Sequence, residues 1–210
     1  MIKLKDLLKE KFSDAAFHGY KMSPTDMRTS TCSTEWINPN QDTGCPKFSD
    51  NSSITPEDET KAIDYLNNED IQMLIAYSRG AAVLLQALKS GAKKPAEVVL
   101  VAPAWNRQWS NGKLTGSEAS GLNGSIVHGA KDNSVPLKHS VLLSQKSGLP
   151  LYIVSDANHI NILKYKQNPS SGKQIKDLDT ALKILPDWGQ SGTASADDLQ
   201  KQIDFVNSIQ

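Results

Sequence analysis

The sequence predicts an α/β fold, a mostly parallel sheet of about five or six strands with helices on both faces. Two observations lead there. The strongest apolar stretches, such as Met73-Leu74-Ile75-Ala76 and Val98-Val99-Leu100-Val101, are short and continuous rather than alternating, the pattern of strands buried on both faces. These runs also alternate with helix-forming stretches such as Ala81-Ala82-Val83-Leu84-Leu85-Gln86-Ala87-Leu88-Lys89, and strands alternating with helices build parallel sheets. A chain of 210 residues fits one domain and buries roughly 70% of its unfolded surface.

Taken in order, residues 1–12 read as a short helix with Ile2, Leu4, Leu7, Leu8 and Phe12 on its apolar face. Ala15-Ala16-Phe17-His18-Gly19-Tyr20 reads as a strand running into a loop. Residues 21–55 are rich in Ser, Thr, Asn, Pro and Gly, and predict a long irregular connection with one short strand near 33–37, around Trp36-Ile37. Thr55-Pro56-Glu57-Asp58-Glu59 is a helix start, with a Thr cap, Pro at the first position and acids in the first turn. That helix is expected to reach about Asn67, and the one after Ser78 to stop at Gly91. Further strands are expected at 97–103, 124–129 and 150–154, with a polar, glycine-rich segment over 104–123 and a helix from about Leu137 to Ser147. Helices are expected from about Ile160, at 174–184 and at 195–208. The organisation is thus one domain over 1–210, a core over 13–165 and a helical extension over 166–210.

Bulk properties narrow the partners. Net charge is zero, so nothing favours a nucleic acid or an anionic membrane surface. No apolar run approaches the roughly 20 residues that span a bilayer, and the charged, amphipathic N-terminus is not a signal peptide. A cytoplasmic protein is the expectation. Cys32 and Cys45 share one irregular segment, match no metal-ligand spacing and are expected to be free thiols. No cofactor is called for.

The chemistry gathers where strands end. Ser78 stands between an apolar strand and a helix, flanked by Ala76 and Gly80; small residues let strand and helix approach while the hydroxyl is pushed out on a strained turn. The helix start behind it offers unpaired N–H groups to a developing negative charge. Asp132 follows the strand at 124–129, and His159 follows the strand at 150–154. In a parallel sheet the C-terminal strand ends are where ligands bind. A serine hydroxyl needs a base near neutrality, which imidazole supplies, and a carboxylate fixes the imidazole tautomer. Asp156, three residues from His159, is the competing acid. His128 is expected to pack under the acid loop and His139 to be structural. Trp105 and Trp109 are either pocket walls or anchors of a long loop.

These residues carry a resemblance. Ala76-Tyr77-Ser78-Arg79-Gly80 resembles the nucleophile elbow G-x-S-x-G of the α/β-hydrolases, and the chain order Ser, Asp, His is theirs. His128-Gly129-Ala130-Lys131-Asp132-Asn133-Ser134-Val135-Pro136 is similar to the acid loop H-G-x-x-D-x-x-V-P, and Ala157-Asn158-His159 to the histidine loop. His18-Gly19-Tyr20 resembles the family's His-Gly turn. The resemblance implies Ser78, Asp132 and His159 as catalytic residues and the Arg79 and Tyr20 N–H groups as oxyanion donors. It also implies a substrate pocket drawing on His18, Tyr77, Trp105 and Trp109. His-Gly is reached by residue 19, so a minimal sheet without the two opening antiparallel strands is expected. Arg79 is charged where many members are neutral, and its side chain is expected to cover the pocket or bind an anionic substrate group. The implied activity is hydrolysis of a small-molecule ester or thioester through an acyl-enzyme. Acyl transfer or perhydrolysis by the same triad, and a scaffold retained only for binding, are the competing readings.

Overall fold

The computed structural model describes residues 14–22, 45–106, 113–166, 168–188 and 193–209. The expectations for a helix over 1–12 and a strand near 33–37, and those on Cys32 and Trp109, lie outside these residues. Six strands form one sheet: β1 (Asp14–Phe17), β2 (Met73–Tyr77), β3 (Glu97–Val101), β4 (Gly124–Gly129), β5 (Leu151–Val154) and β6 (Lys173–Ile175). Their order across the sheet is their order in the chain; β1 to β5 are parallel, and β6 closes the edge antiparallel to β5. The expected α/β class with a mostly parallel sheet is what the chain adopts.

Five α-helices accompany the strands: α1 (Pro56–Asn68), α2 (Arg79–Lys89), α3 (Leu137–Ser147), α4 (Leu178–Ile184) and α5 (Ala196–Ser208). The start of α1 follows its sequence closely. Thr55 accepts the Asp58 N–H while the Asp58 carboxylate accepts the Thr55 N–H, a reciprocal cap with Pro56 at the first helical position. Right-handed crossovers between successive parallel strands set their helices on one face of the sheet. In agreement, Leu66 of α1, Leu84 of α2, Val141 of α3, Ala181 of α4 and Val206 of α5 all join one buried cluster with Leu74, Val98, Leu100 and Ile126 of the strands. The opposite face carries Ile75, Tyr77, Val99, Val101 and Val127, covered among the described residues by Cys45 and by Ile162 of a 3₁₀ turn at Asn161–Tyr165.

The α-helices expected on both faces pack, among the described residues, on one, and three local expectations also need correcting. The α-helix expected from Ile160 is that 3₁₀ turn, because the Asn158 side chain accepts the N–H groups of both Ile160 and Asn161 and pins a tighter start. The extension beyond 166 is not purely helical: Lys173–Ile175 pairs with Leu151–Ile153, and α4 begins only after Asp177 caps it. Cys45 is disulfide-bonded rather than a free thiol. Among the described residues no helix is long and apolar enough to cross a membrane.

One close approach ties the start of α2 to the sheet edge. A Cβ on Gly80, at the start of α2, would lie 2.2 Å from the Phe17 carbonyl oxygen and 2.8 Å from that of His18, both backbone atoms that cannot swing aside. Gly80→Ala is therefore expected to destabilise the fold by about 1–3 kcal/mol through overpacking. Thermal unfolding checks this, with a midpoint drop of about 2–4 °C for each kcal/mol in a domain of this size; an unchanged midpoint would contradict the contact.

Candidate active site

Ser78 sits between β2 and α2 with φ 52° and ψ −121°, a backbone conformation rarely taken by a residue with a Cβ. Its N–H donates to the Val101 carbonyl at 2.9 Å, and its carbonyl accepts from Ala81 at 3.1 Å and Ala104 at 3.0 Å. The turn is thus held from β3 and from α2 together. The side chain makes no capping bond to its own helix. Instead Ser78 Oγ lies 3.0 Å from His159 Nε2, and His159 Nδ1 lies 2.7 Å from Asp132 Oδ2. A carboxylate only accepts, so Nδ1 carries the proton and Nε2 is left to accept from the serine hydroxyl. The three residues follow β2, β4 and β5, and parallel strands bring those ends to one edge of the sheet.

Asp132 is fully buried. Its Oδ1 accepts from the N–H groups of Ser134 at 2.8 Å and Val135 at 2.9 Å. Burial by itself would raise its pKa, but the hydrogen bond from His159, the charges of His159 and His128 and the Val135 N–H together hold it below the usual carboxylate range. His128 lies beneath, as expected. Its Nε2–H points at the Val135 carbonyl at 3.0 Å, with Asp132 Oδ2 at 3.4 Å, and its Nδ1 accepts from the Ser140 hydroxyl at 2.7 Å. Asp156 is ruled out as the partner of His159: its side chain is 87% exposed and pairs with Lys131. His139 is buried and faces Asp187 at 3.5 Å.

The remaining candidates separate. Tyr77 donates its hydroxyl to the His159 carbonyl at 2.7 Å and lays its ring against the imidazole, centroids 5.1 Å apart. It holds the loop that carries His159, a contact the sequence did not signal. His18 is fully buried; its Nε2 accepts the Phe48 N–H and its Nδ1 faces the Gly19 carbonyl, so it fastens two segments rather than facing a substrate. Trp105 is buried with its indole N–H donated to the His139 carbonyl at 3.0 Å, an anchor of its loop. Trp109 lies outside the described residues. Tyr20 occupies the turn that Gly19 and Met22 close beside Tyr77.

The Arg79 side chain overturns its expectation. It is fully buried, and its Nη2 pairs with Asp58 and donates to the Ser53 carbonyl. It therefore neither covers a pocket nor meets a substrate anion; it points back into α1. Asp58 also accepts from the Ser49 N–H and hydroxyl and the Thr55 N–H. Against the cost of burial, those bonds and the guanidinium bring its carboxyl down to about 2. Only its place at a helix start was readable in advance. Among the described residues no group of three or more His, Cys, Asp or Glu could hold a metal.

Comparison with known proteins found no matching family model, no matching curated protein and no matching solved structure.

Two buried groups, His128 and Asp58, link stability to pH on the acid side. Desolvation lowers His128 to about 4 from 6.5, and Asp58 is lowered to about 2 from 3.8. Each is depressed in the folded state, so the unfolded chain binds protons that the folded chain refuses, and stability present at neutral pH is lost as pH falls. The thermal midpoint is expected to drop from pH 6.5 down to about 4, and His128→Gln to flatten that stretch. A profile in the variant as steep as in the wild type would contradict the assignment.

Proposed function

We propose that this protein is a serine hydrolase that cleaves a carboxylic ester or thioester through an acyl-enzyme on Ser78. The observation that carries the reading is the unbroken hydrogen-bonded chain from Ser78 Oγ through His159 to a buried Asp132, at 3.0 and 2.7 Å. Its three members come from three separate strand ends, and a helix-capping serine would have bonded its own helix, which Ser78 does not do. In this mechanism Ser78 Oγ attacks the acyl carbon while His159 Nε2 takes its proton, and Asp132 stabilises the resulting imidazolium. His159 then returns the proton to the departing alkoxide or thiolate. Water repeats the sequence on the acyl-enzyme, with His159 as base and Ser78 as leaving group.

The charge that develops on the carbonyl oxygen needs fixed donors. The Arg79 N–H, at the opening of α2, belongs to the helix-start groups without intrahelical partners. Gly80 packs against the backbone of Phe17 and His18, which supports the Tyr20 N–H, one turn further on, as the second donor. Membership of the α/β-hydrolases is part of the same proposal. The Cys45 disulfide fits an oxidising compartment better than the cytoplasm.

A fluorophosphonate probe is expected to label Ser78 in the wild type and not in Ser78→Ala. On a panel of short p-nitrophenyl esters and thioesters, Ser78→Ala is expected to lose turnover by about 10⁶-fold, and Asp132→Asn by up to about 10⁴-fold through the wrong tautomer. Wild-type turnover retained in Ser78→Ala would sink the mechanism. A folded wild type that takes no label and turns over no ester would favour a scaffold retained for binding.

A further inference from the structure

Helix α5 lies at the far end of the described chain, yet one of its side chains reaches the loop that carries Asp132. Gln202 is fully buried, although glutamine is mostly an exposed residue. Its Oε1 accepts the Leu137 N–H at 2.9 Å, and its Nε2 donates to the carbonyls of Ala130 at 2.8 Å and Asp132 at 3.2 Å. Nearby, the Ala194 N–H donates to the Asn133 carbonyl at 3.0 Å. The segment before α5 and α5 itself therefore grip both flanks of Asp132.

The need for such a grip is visible in the loop. Leu137 opens α3, and the residue before it, Pro136, offers no side-chain cap. A helix start without a capping side chain leaves its N–H groups unsatisfied, and Gln202 supplies the missing acceptor from a separate element. The Asp132 peptide is held on one side by its N–H to the Gly129 carbonyl at 3.1 Å and on the other by Gln202. Its Oδ1 is held by the Ser134 and Val135 N–H groups of the same loop. The carboxylate is thus set by the loop backbone, and the loop backbone is set from outside by one amide.

We propose that Gln202 is a positioning residue for the Asp132–His159 pair, and that α5 is a working part of the site rather than an appendage. The proposal rests on the triad reading given above. Without the amide, two carbonyls and one N–H lose a buried partner, the loop relaxes, and Asp132 Oδ2 no longer meets His159 Nδ1 squarely. The pair acts on proton transfer and not on substrate grip, so the loss falls on kcat and leaves KM in place.

The test uses the full chain and three variants. Gln202→Met keeps the length of the side chain and removes all three hydrogen bonds. Gln202→Glu keeps the acceptor for Leu137 and sets a second acceptor against the Asp132 carbonyl. Gln200→Met is the control on the exposed side of the same helix. Turnover of p-nitrophenyl acetate is measured beside the proton NMR signal of the hydrogen-bonded His159 Nδ1–H. Both Gln202 variants are expected to lose kcat by about 10²-fold, as for a 1 Å misplacement, at unchanged KM, and to lose or broaden that proton signal. Gln200→Met keeps both. If Gln202→Met does not fold, Gln202→Glu carries the comparison. A folded Gln202 variant with wild-type kcat and an intact proton signal overturns the proposal, as does one that merely melts earlier while both readouts hold per folded molecule. The NMR arm is independent of turnover. A wild type inert to esters, but with a signal that Gln202→Met abolishes, would overturn the hydrolase reading and leave the positioning role standing.

Discussion

The backbone of Ser78 is the constraint around which the rest of the structure is arranged. A non-glycine residue at φ 52° and ψ −121° costs of order 1–3 kcal/mol and persists only where its surroundings over-determine it. Here β3 accepts its N–H, while α2 and the loop after β3 donate to its carbonyl. Gly80 allows α2 to press on the end of β1 without a side chain between them. The result is a hydroxyl turned away from its own helix and toward His159, with the N–H groups of the helix start close behind it. Strand order matters for the same reason. Parallel neighbours β2 to β5 end on one side, so residues 78, 132 and 159 meet although they are far apart in the chain.

Two buried carboxylates show how this fold handles charge. Asp58 and Asp132 are each completely enclosed, which would be prohibitive without donors. Asp58 is ringed by Ser49, Thr55 and Arg79, and so binds the start of α1 and the segment after Cys45 to the residue next to Ser78. Such pairs add little net stability but are costly to break, by about 3–5 kcal/mol; their effect is to fix an arrangement. Asp132 spends one oxygen on loop N–H groups and turns the other to His159. One carboxylate therefore closes a structural knot, and the other is left with a single oxygen aimed at an imidazole.

Much of this was legible from residue order. The strands at 73–77, 98–101 and 151–154 are continuous apolar runs with no competing helical period, the one at 124–129 is centred on Ile126-Val127, and the start of α1 is written in Thr55 and Pro56. Ser78, Asp132 and His159 each follow such a strand, so their convergence could be anticipated. The loops were less readable. The turn after His159 is set by hydrogen bonds among Asn158, Ile160 and Asn161 that resemble a helix start in sequence. β6 is three residues long, too short to show a period, and forms because β5 has a free edge.

The sequence by itself determined the class of fold and which three side chains end near one another, because periodicity and strand-end position are local properties. Only the tertiary structure decided what the surrounding residues do. Arg79 reads as a pocket charge until Asp58 appears beside it, Tyr77 as a pocket wall until its hydroxyl meets the His159 carbonyl, and Gln202 as one polar residue of a terminal helix until it reaches Ala130, Asp132 and Leu137. Each is a hydrogen bond between residues at least 21 positions apart. No local pattern encodes such a bond, since it exists only once packing has brought donor and acceptor together and removed the water that would otherwise satisfy them.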